Sequence, residues 1–310
     1  MQPTQPPAGP DPNYGFAGCY RHPDRLTGVR CVRCNRPICP ECQRAASVGF
    51  QCPDDVKAGR ESVRQGRTIV GAMANADAVP FVTYGLIALN VLVYVLTAVG
   101  PGANFVQNNG STQDRLELVP YFVGADHDYY RLVTSMFVHY GPLHILLNMY
   151  ALYVIGPSLE RAFGWWRYTA VYFLAGLGGS VLCLLLQNPL GASAGASGAI
   201  FGLFAALLVL SKRTGTPTTQ VWIVVAINFI FTFSVPNISI WGHVGGFIFG
   251  GLASLALLAW RLRGAYRLPD VRIQLTGLVA ILVVLGVASV ARAQYLESHP
   301  PVPVVQNDGG

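Results

Sequence analysis

Ser197, His243, His144 and Asn148 are the residues whose types and positions could do covalent chemistry in this chain. A serine hydroxyl becomes a nucleophile when a base takes its proton, and the oxyanion formed by its attack needs donors aimed at it. Ser197 opens an apolar stretch of 14 residues that ends at Leu210, just before Ser211, Lys212 and Arg213. At ~1.5 Å per residue that stretch covers about 21 Å of a ~30 Å hydrocarbon core. The small-residue run 191–196 must therefore dip into the membrane, which is tolerable only where protein or a water-filled cavity satisfies its backbone. His243 stands 17 residues before Trp260, about 26 Å from the same face by the same rise. His144 and Asn148 are spaced i, i+4 and share a helix face just after Pro142. A single serine in an apolar helix ordinarily bonds to the preceding turn, and a single membrane histidine ordinarily bridges helices. A nucleophile, a base and two donors at one depth instead meet the geometric requirements of acyl transfer.

The elements that must position these residues follow from composition. Of the 310 residues, 52% are hydrophobic and only 12% charged, about half the share in ordinary soluble domains. That excludes a disordered chain, a generally basic nucleic-acid binder and most soluble enzymes, leaving a multi-spanning membrane protein. Apolar stretches fall at about 80–100, 143–159, 166–186, 197–210, 221–235, 243–260 and 273–290. The predicted organisation is a Pro-rich disordered arm (1–18), a zinc-finger domain (19–55), a basic linker (56–79) and a six-helix core (80–262). A linker with a seventh transmembrane helix (263–291) and a disordered tail (292–310) complete it. The segment 101–141, with Asp126, His127 and Asp128, is too long a loop to be idle. Gly198 and Gly202, and Gly246 and Gly250, are each four apart, so two small-residue faces can bring their helices together. Eighteen of the 21 Lys and Arg fall in segments on one side if the N-terminus is cytoplasmic, against Arg115, Arg131 and Arg292 on the other. The expected placement is a multi-pass cell-membrane protein with its N-terminus inside and its C-terminus extracytoplasmic.

Six of the seven cysteines lie in the first 52 residues, in the order Cys19-x2-His22, Cys31-x2-Cys34, Cys39-x2-Cys42 and Cys52-x2-Asp55. Eight ligands suit two tetrahedral zinc ions of structural type, with Asp55 where Cys or His is more usual. No signal-peptide core precedes residue 68, so the head is expected to be cytosolic, where disulfides are rare. Spacing alone leaves sequential and interleaved pairing open. The order is similar to B-box zinc fingers, whose interleaving would pair Cys19 and His22 with Cys39 and Cys42, and Cys31 and Cys34 with Cys52 and Asp55. The head then reads as a module for a cytosolic protein partner. Cys183 reads as a packing residue.

Gly195-Ala196-Ser197-Gly198 with Phe201 and Gly202, His243 with Gly245, Gly246 and Gly250, and His144 with Asn148 together resemble the rhomboid family of intramembrane serine proteases. The resemblance covers roughly 80–262. It implies an all-α six-helix core with a Ser and His dyad, Ser197 as nucleophile and His243 as base, with no carboxylate completing a triad. It also implies an oxyanion site made by His144, Asn148 and the Ser197 N–H. Phe201 maps onto the ring beneath the catalytic histidine, Tyr130-Arg131 onto a loop pair that is commonly Trp-Arg, Glu160-Arg161 onto the end of the second helix, and His139 onto a structural loop histidine. The extra span matches the variant with one added C-terminal helix. The implied activity is endopeptidase cleavage of transmembrane protein substrates near the outer face, with no catalytic cofactor, a lipid bilayer as surroundings and no nucleic acid. The competing readings are a rhomboid-like pseudoprotease that binds or chaperones membrane proteins, which would require a missing Ser or His, and a transporter, for which no Asp or Glu lies deep in a span.

Overall fold

The computed structural model describes residues 15–62, 67–68, 70–72, 78–99, 110–234, 239–258 and 270–301. Most of the expected N-terminal arm, parts of the basic linker, Arg261, Arg263 and Arg267, and the tail beyond 301 lie outside the described residues. The chain divides into two compact units, Met1–Gln65 and Gly66–Gly310.

The first unit is small and built around its cysteines. Two short antiparallel pairs, β1 (Ala17–Gly18) with β2 (Leu26–Thr27) and β3 (Arg44–Ala45) with β4 (Phe50–Gln51), frame a core of Cys19, Cys31, Ile38, Cys39, Cys42 and Cys52. Helix α1 (Pro53–Ser62) follows, with Pro53 opening it and Asp54 and Asp55 in its first turn, where acidic side chains favour the helix. It occupies the start of the segment expected to be linker.

The second unit is all-α and polytopic. Six of its described helices are long and apolar enough to cross a membrane: α2 (Phe81–Ala98), α6 (Pro142–Phe163), α7 (Trp165–Leu186), α8 (Ser197–Thr214), α10 (Ile240–Leu258) and α11 (Val271–Ser298). Helix α9 (Thr219–Ser234) has 16 residues, fewer than the ~20 a spanning helix needs. Three short helices, α3 (Ser111–Leu116), α4 (Pro120–Ala125) and α5 (Arg131–Thr134), shape the connection between α2 and α6.

The centre is α7, α8 and α10 packed on one another. Helix α7 has lost its amphipathic pattern because it is enclosed, with Tyr168, Val171, Tyr172, Ala175 and Leu184 all nearly inaccessible. Helices α8 and α10 touch along their glycines: a Cβ built on Gly246 would fall on the Gly198 carbonyl, and one on Gly250 would fall on the Gly202 backbone. Helix α2 joins through Glu160 of α6, whose carboxylate accepts from the Val82 N–H (3.0 Å), the Thr83 N–H (2.8 Å) and the Thr83 hydroxyl (2.7 Å). The two N–H groups are donors that the N-terminus of α2 would otherwise leave unpaired.

Helix α11 packs on α10, α7 and α4. Gln274, fully buried, accepts from the Arg167 Nε (2.9 Å) and donates to the Leu257 carbonyl (2.9 Å) and the Val70 carbonyl (3.3 Å). Towards the other end, Arg292 donates to the Leu184 carbonyl (3.3 Å), and Leu296 and Ala293 pack against Gly124 of α4. The helix therefore runs eight residues beyond the expected 273–290 span and into the segment read as tail.

Candidate active site and metal centres

Ser197 is the first residue of α8, and the turn before it is held from outside its own segment. Leu118 and Ser193 form an antiparallel bridge with both N–H to O distances at 2.9 Å, and the Gly195 N–H donates to the Ser135 carbonyl (2.9 Å). The Ala196 N–H donates to His139 Nε2 (3.4 Å), while His139 Nδ1 faces the Phe137 carbonyl (3.2 Å). That carbonyl can only accept, so His139 carries its hydrogen on Nδ1 and leaves Nε2 to receive the amide. The non-helical run before Ser197 thus has protein partners for its backbone, the condition for such a run at membrane depth. Gly195 has φ +129°, and a Cβ there would lie 2.9 Å from the His144 ring, so both conformation and space call for glycine.

The connection that supplies these partners is itself fixed by Arg131, 5% exposed, which donates to the Asp128 carboxylate (2.9 Å), the Asp114 carbonyl (2.6 Å) and the Glu117 carbonyl (3.0 Å). Its neighbour Tyr130 is exposed and donates its hydroxyl to Asp128 (3.1 Å). Glu117 accepts from the Tyr140 hydroxyl (3.0 Å), and burial pushes its carboxyl above the ordinary value.

His243, three residues into α10, places Nε2 2.7 Å from Ser197 Oγ. Phe201, one helical turn after Ser197, lies flat on the imidazole with ring centroids 4.1 Å apart and planes 13° from parallel. The other ring nitrogen, Nδ1, is 2.7 Å from the Thr232 hydroxyl of α9. Among the described residues no carboxylate bonds to His243. Sequence reasoning passed over Thr232; the signal was Asn228 and Thr232, one turn apart in a largely apolar stretch.

Asn148 and His144 share a face of α6 as their spacing requires, and Asn148 Nδ2 donates to the His144 carbonyl (2.9 Å), leaving a second amide hydrogen. His144 Nδ1 accepts from the Tyr140 N–H (3.3 Å), so its hydrogen resides on Nε2, the atom beside Gly195. Ser197, His243 and His144 therefore meet at one place, with a hydroxyl, the His243 ring nitrogen against it and the His144 ring N–H beside Gly195. Cys183 is buried, 3.0 Å from the Ser239 hydroxyl.

The head gathers its ligands into two sets, Cys19, His22, Cys39 and Cys42, and Cys31, Cys34, Cys52 and Asp55, each with its donor atoms within 4.8 Å of one another. This is the interleaved grouping. Within the first set His22 Nδ1 is 3.9, 3.3 and 3.5 Å from the sulfurs of Cys19, Cys39 and Cys42. In the second, Asp55 is 3.0 Å from Cys31 and 3.2 Å from Cys52, and Cys34 and Cys52 are 3.7 Å apart. Tetrahedral zinc with Zn–S bonds of about 2.3 Å and Zn–N or Zn–O bonds of about 2.0 Å sets donors roughly 3.3–3.8 Å apart, so both sets could hold a metal ion. Arg36 lies against the second set, donating to Cys34 (3.2 Å), Cys52 (3.6 Å) and Asp54 (3.2 Å), where its positive charge would suit an anionic donor set. The neighbouring thiols of Cys31, Cys34 and Cys52 hold the Asp55 carboxyl down to about 2.

Residues 126–260 match the family model described as the Rhomboid domain. The chain is 36% identical over 183 residues to "Rhomboid protease GluP" of Bacillus subtilis (strain 168), covering 57% of this chain and 35% of that protein. It is 34% identical over 168 residues to "RHOMBOID-like protein 2" of Arabidopsis thaliana (51% and 50%), and 34% over 142 residues to "Rhomboid-type serine protease 2" of Emericella nidulans (43% and 28%). The matched part spans half or less of the length of these relatives. The domain match, falling on the segment that carries Ser197, His243, His144 and Asn148, and these likenesses support the rhomboid family for this multi-pass membrane protein.

Proposed function

We propose that the protein is an intramembrane serine endopeptidase that cleaves transmembrane segments of membrane proteins near the outer face through Ser197 and His243. The observation that carries this reading is the 2.7 Å approach of His243 Nε2 to Ser197 Oγ. His243 takes the Ser197 proton as the hydroxyl oxygen bonds to the scissile carbonyl carbon, then returns it to the amine as the C–N bond breaks. Water, deprotonated by the same ring, releases the acyl group and regenerates the serine. The oxyanion is held by the Ser197 N–H at the N-terminus of α8, where the helix dipole favours negative charge, and by His144 Nε2–H and Asn148 Nδ2–H. The names "Rhomboid protease GluP" and "Rhomboid-type serine protease 2" support a protease-like function. The N-terminus is assigned to the cytoplasm and the C-terminus to the extracytoplasmic side. The two donor sets of the head hold structural zinc in a B-box-like module that recruits a cytosolic protein.

The test is cleavage of a model membrane-helix substrate by the purified full chain in detergent, together with labelling by a fluorophosphonate. Wild type should cleave and label, and Ser197→Ala and His243→Ala should each lose more than about 10³-fold in cleavage rate. A folded, zinc-loaded wild type that neither cleaves several substrates nor labels would overturn the enzyme reading in favour of a binding role.

A further inference from the structure

His243 uses one ring nitrogen toward Ser197, and the partner of the other decides which nitrogen carries the hydrogen. That partner is Thr232, 2% exposed, the third residue from the end of α9. Its Oγ is 2.7 Å from His243 Nδ1 and 2.8 Å from the Asn228 carbonyl one turn back. A hydroxyl has one hydrogen to give, and a carbonyl can only accept. With its hydrogen on the Asn228 carbonyl, Thr232 presents a lone pair to His243, so Nδ1 carries the imidazole hydrogen and donates. Nε2 is then left with a lone pair facing Ser197 Oγ, the form a general base must have.

We propose that Thr232 is a positioning residue for the reaction, fixing the tautomer and tilt of His243 in the place a carboxylate holds in a catalytic triad. This rests on the reading of Ser197 and His243 as nucleophile and base. When His243 becomes positively charged, its Nδ1–H strengthens its bond to Thr232, which is polarised in turn by the carbonyl end of α9, where a helix favours positive charge. The ring is thus held on one face by Phe201 and at one edge by Thr232. Helix α9 is otherwise lightly attached. Trp222, Ile223, Val224, Ile227 and Ile230 are exposed, and its inward contacts include Phe229 on Phe201, 4.8 Å between centroids, and on Phe247. Displacement of α9 would therefore remove the acceptor from His243 Nδ1 without touching Ser197.

The experiment compares Thr232→Val, which keeps shape and removes the hydroxyl, with Thr232→Ser, which restores the hydroxyl and removes a methyl. Loss of one hydrogen bond to a group that becomes charged predicts a fall of about 10- to 100-fold in kcat for Thr232→Val, with KM and thermal midpoint little changed. Thr232→Ser should recover kcat to within about threefold of wild type. In parallel, 15N spectra of histidine-labelled protein, with the His243 signals assigned by their loss in His243→Ala, should show the neutral ring protonated at Nδ1 in wild type and a mixture in Thr232→Val. Wild-type kcat in Thr232→Val overturns the proposal, as do equal losses in both variants, which would mark packing, and a wild-type ring protonated at Nε2. The spectra read the tautomer without any substrate. A failure of the protease reading, in which wild type neither cleaves nor labels, is therefore distinguishable from a failure of this one.

Discussion

Gly246→Ala places one methyl group where α10 crosses α8, three residues from His243, and its target is the carbonyl of Gly198, the residue after Ser197. A backbone carbonyl cannot swing aside as the end of a long side chain can, so the helices must separate, on the order of 1 Å, before the methyl reaches ordinary contact. That separation acts on the turn that holds the proposed base against the turn that holds the proposed nucleophile. A 2.7 Å bond between His243 Nε2 and Ser197 Oγ lengthened by that much no longer counts as a hydrogen bond. Misplacement on this scale is worth about 10²-fold in rate, or ~2.7 kcal/mol of barrier, and overpacking adds about 1–3 kcal/mol of destabilisation. Gly251→Ala is the matched control on the same helix, because a Cβ there meets only Ala205 Cβ at 3.6 Å, an ordinary contact. The assay is kcat on a membrane-helix substrate, the rate of fluorophosphonate labelling and the thermal midpoint in detergent, for both variants and wild type. Gly246→Ala should lose about 10²-fold in both rates while remaining folded below its lowered midpoint, and Gly251→Ala should stay within about twofold. Wild-type rates in Gly246→Ala, or equal losses in the two variants, would refute the argument that close backbone approach sets the Ser197 to His243 distance.

Two further outcomes are expected. Gln274→Leu removes the acceptor of buried Arg167 and the donor to the Leu257 and Val70 carbonyls, which should cost about 1.5–3 kcal/mol and lower the thermal midpoint of the second unit, whereas an unchanged midpoint would show that these bonds do not hold α11 in place. Metal analysis of the purified chain should find two zinc ions, falling to one in Cys39→Ala and to one in Cys52→Ala, with release on acidification as the ligands protonate; a count of two retained in either variant would contradict the donor sets.

What the sequence made legible were features set by local repeat and by simple length. Hydropathy located the long helices, because a bilayer span needs about 20 apolar residues whatever it packs against. The i, i+4 spacing of His144 and Asn148 was enough to put them on one face of α6, where Asn148 reaches the His144 carbonyl. Features made by long-range pairing were not legible. The Leu118 to Ser193 bridge joins segments 75 positions apart, and nothing in either segment announces a strand. Helix α11 was read too short because Arg292 and Gln294 break its hydropathy, yet Arg292 reaches the Leu184 carbonyl and Leu296 is buried on α4. In the head, C-x2-C spacing picked out the candidate donors but left their pairing open, and the interleaved grouping that the structure shows is the one the likeness to B-box fingers implied.

Thr232 was beyond sequence reasoning for a more specific reason, which bears on how the proposed base is oriented. The search for a third member of the Ser197 and His243 pair looks for a carboxylate, since that is the group able to accept from an imidazole and offset its charge. At a position as buried as Thr232 a carboxylate would have to be buried ionised, at a cost of several kcal/mol unless fully paired. A threonine hydroxyl avoids that cost because its own hydrogen is already satisfied by a carbonyl of its helix, leaving an oxygen that accepts without carrying charge. What it gives up is electrostatic strength, and the carbonyl end of α9 returns part of it. Such a residue looks like any helix threonine bonded to its preceding turn, and only the 2.7 Å contact with His243 separates it from the many that do nothing else.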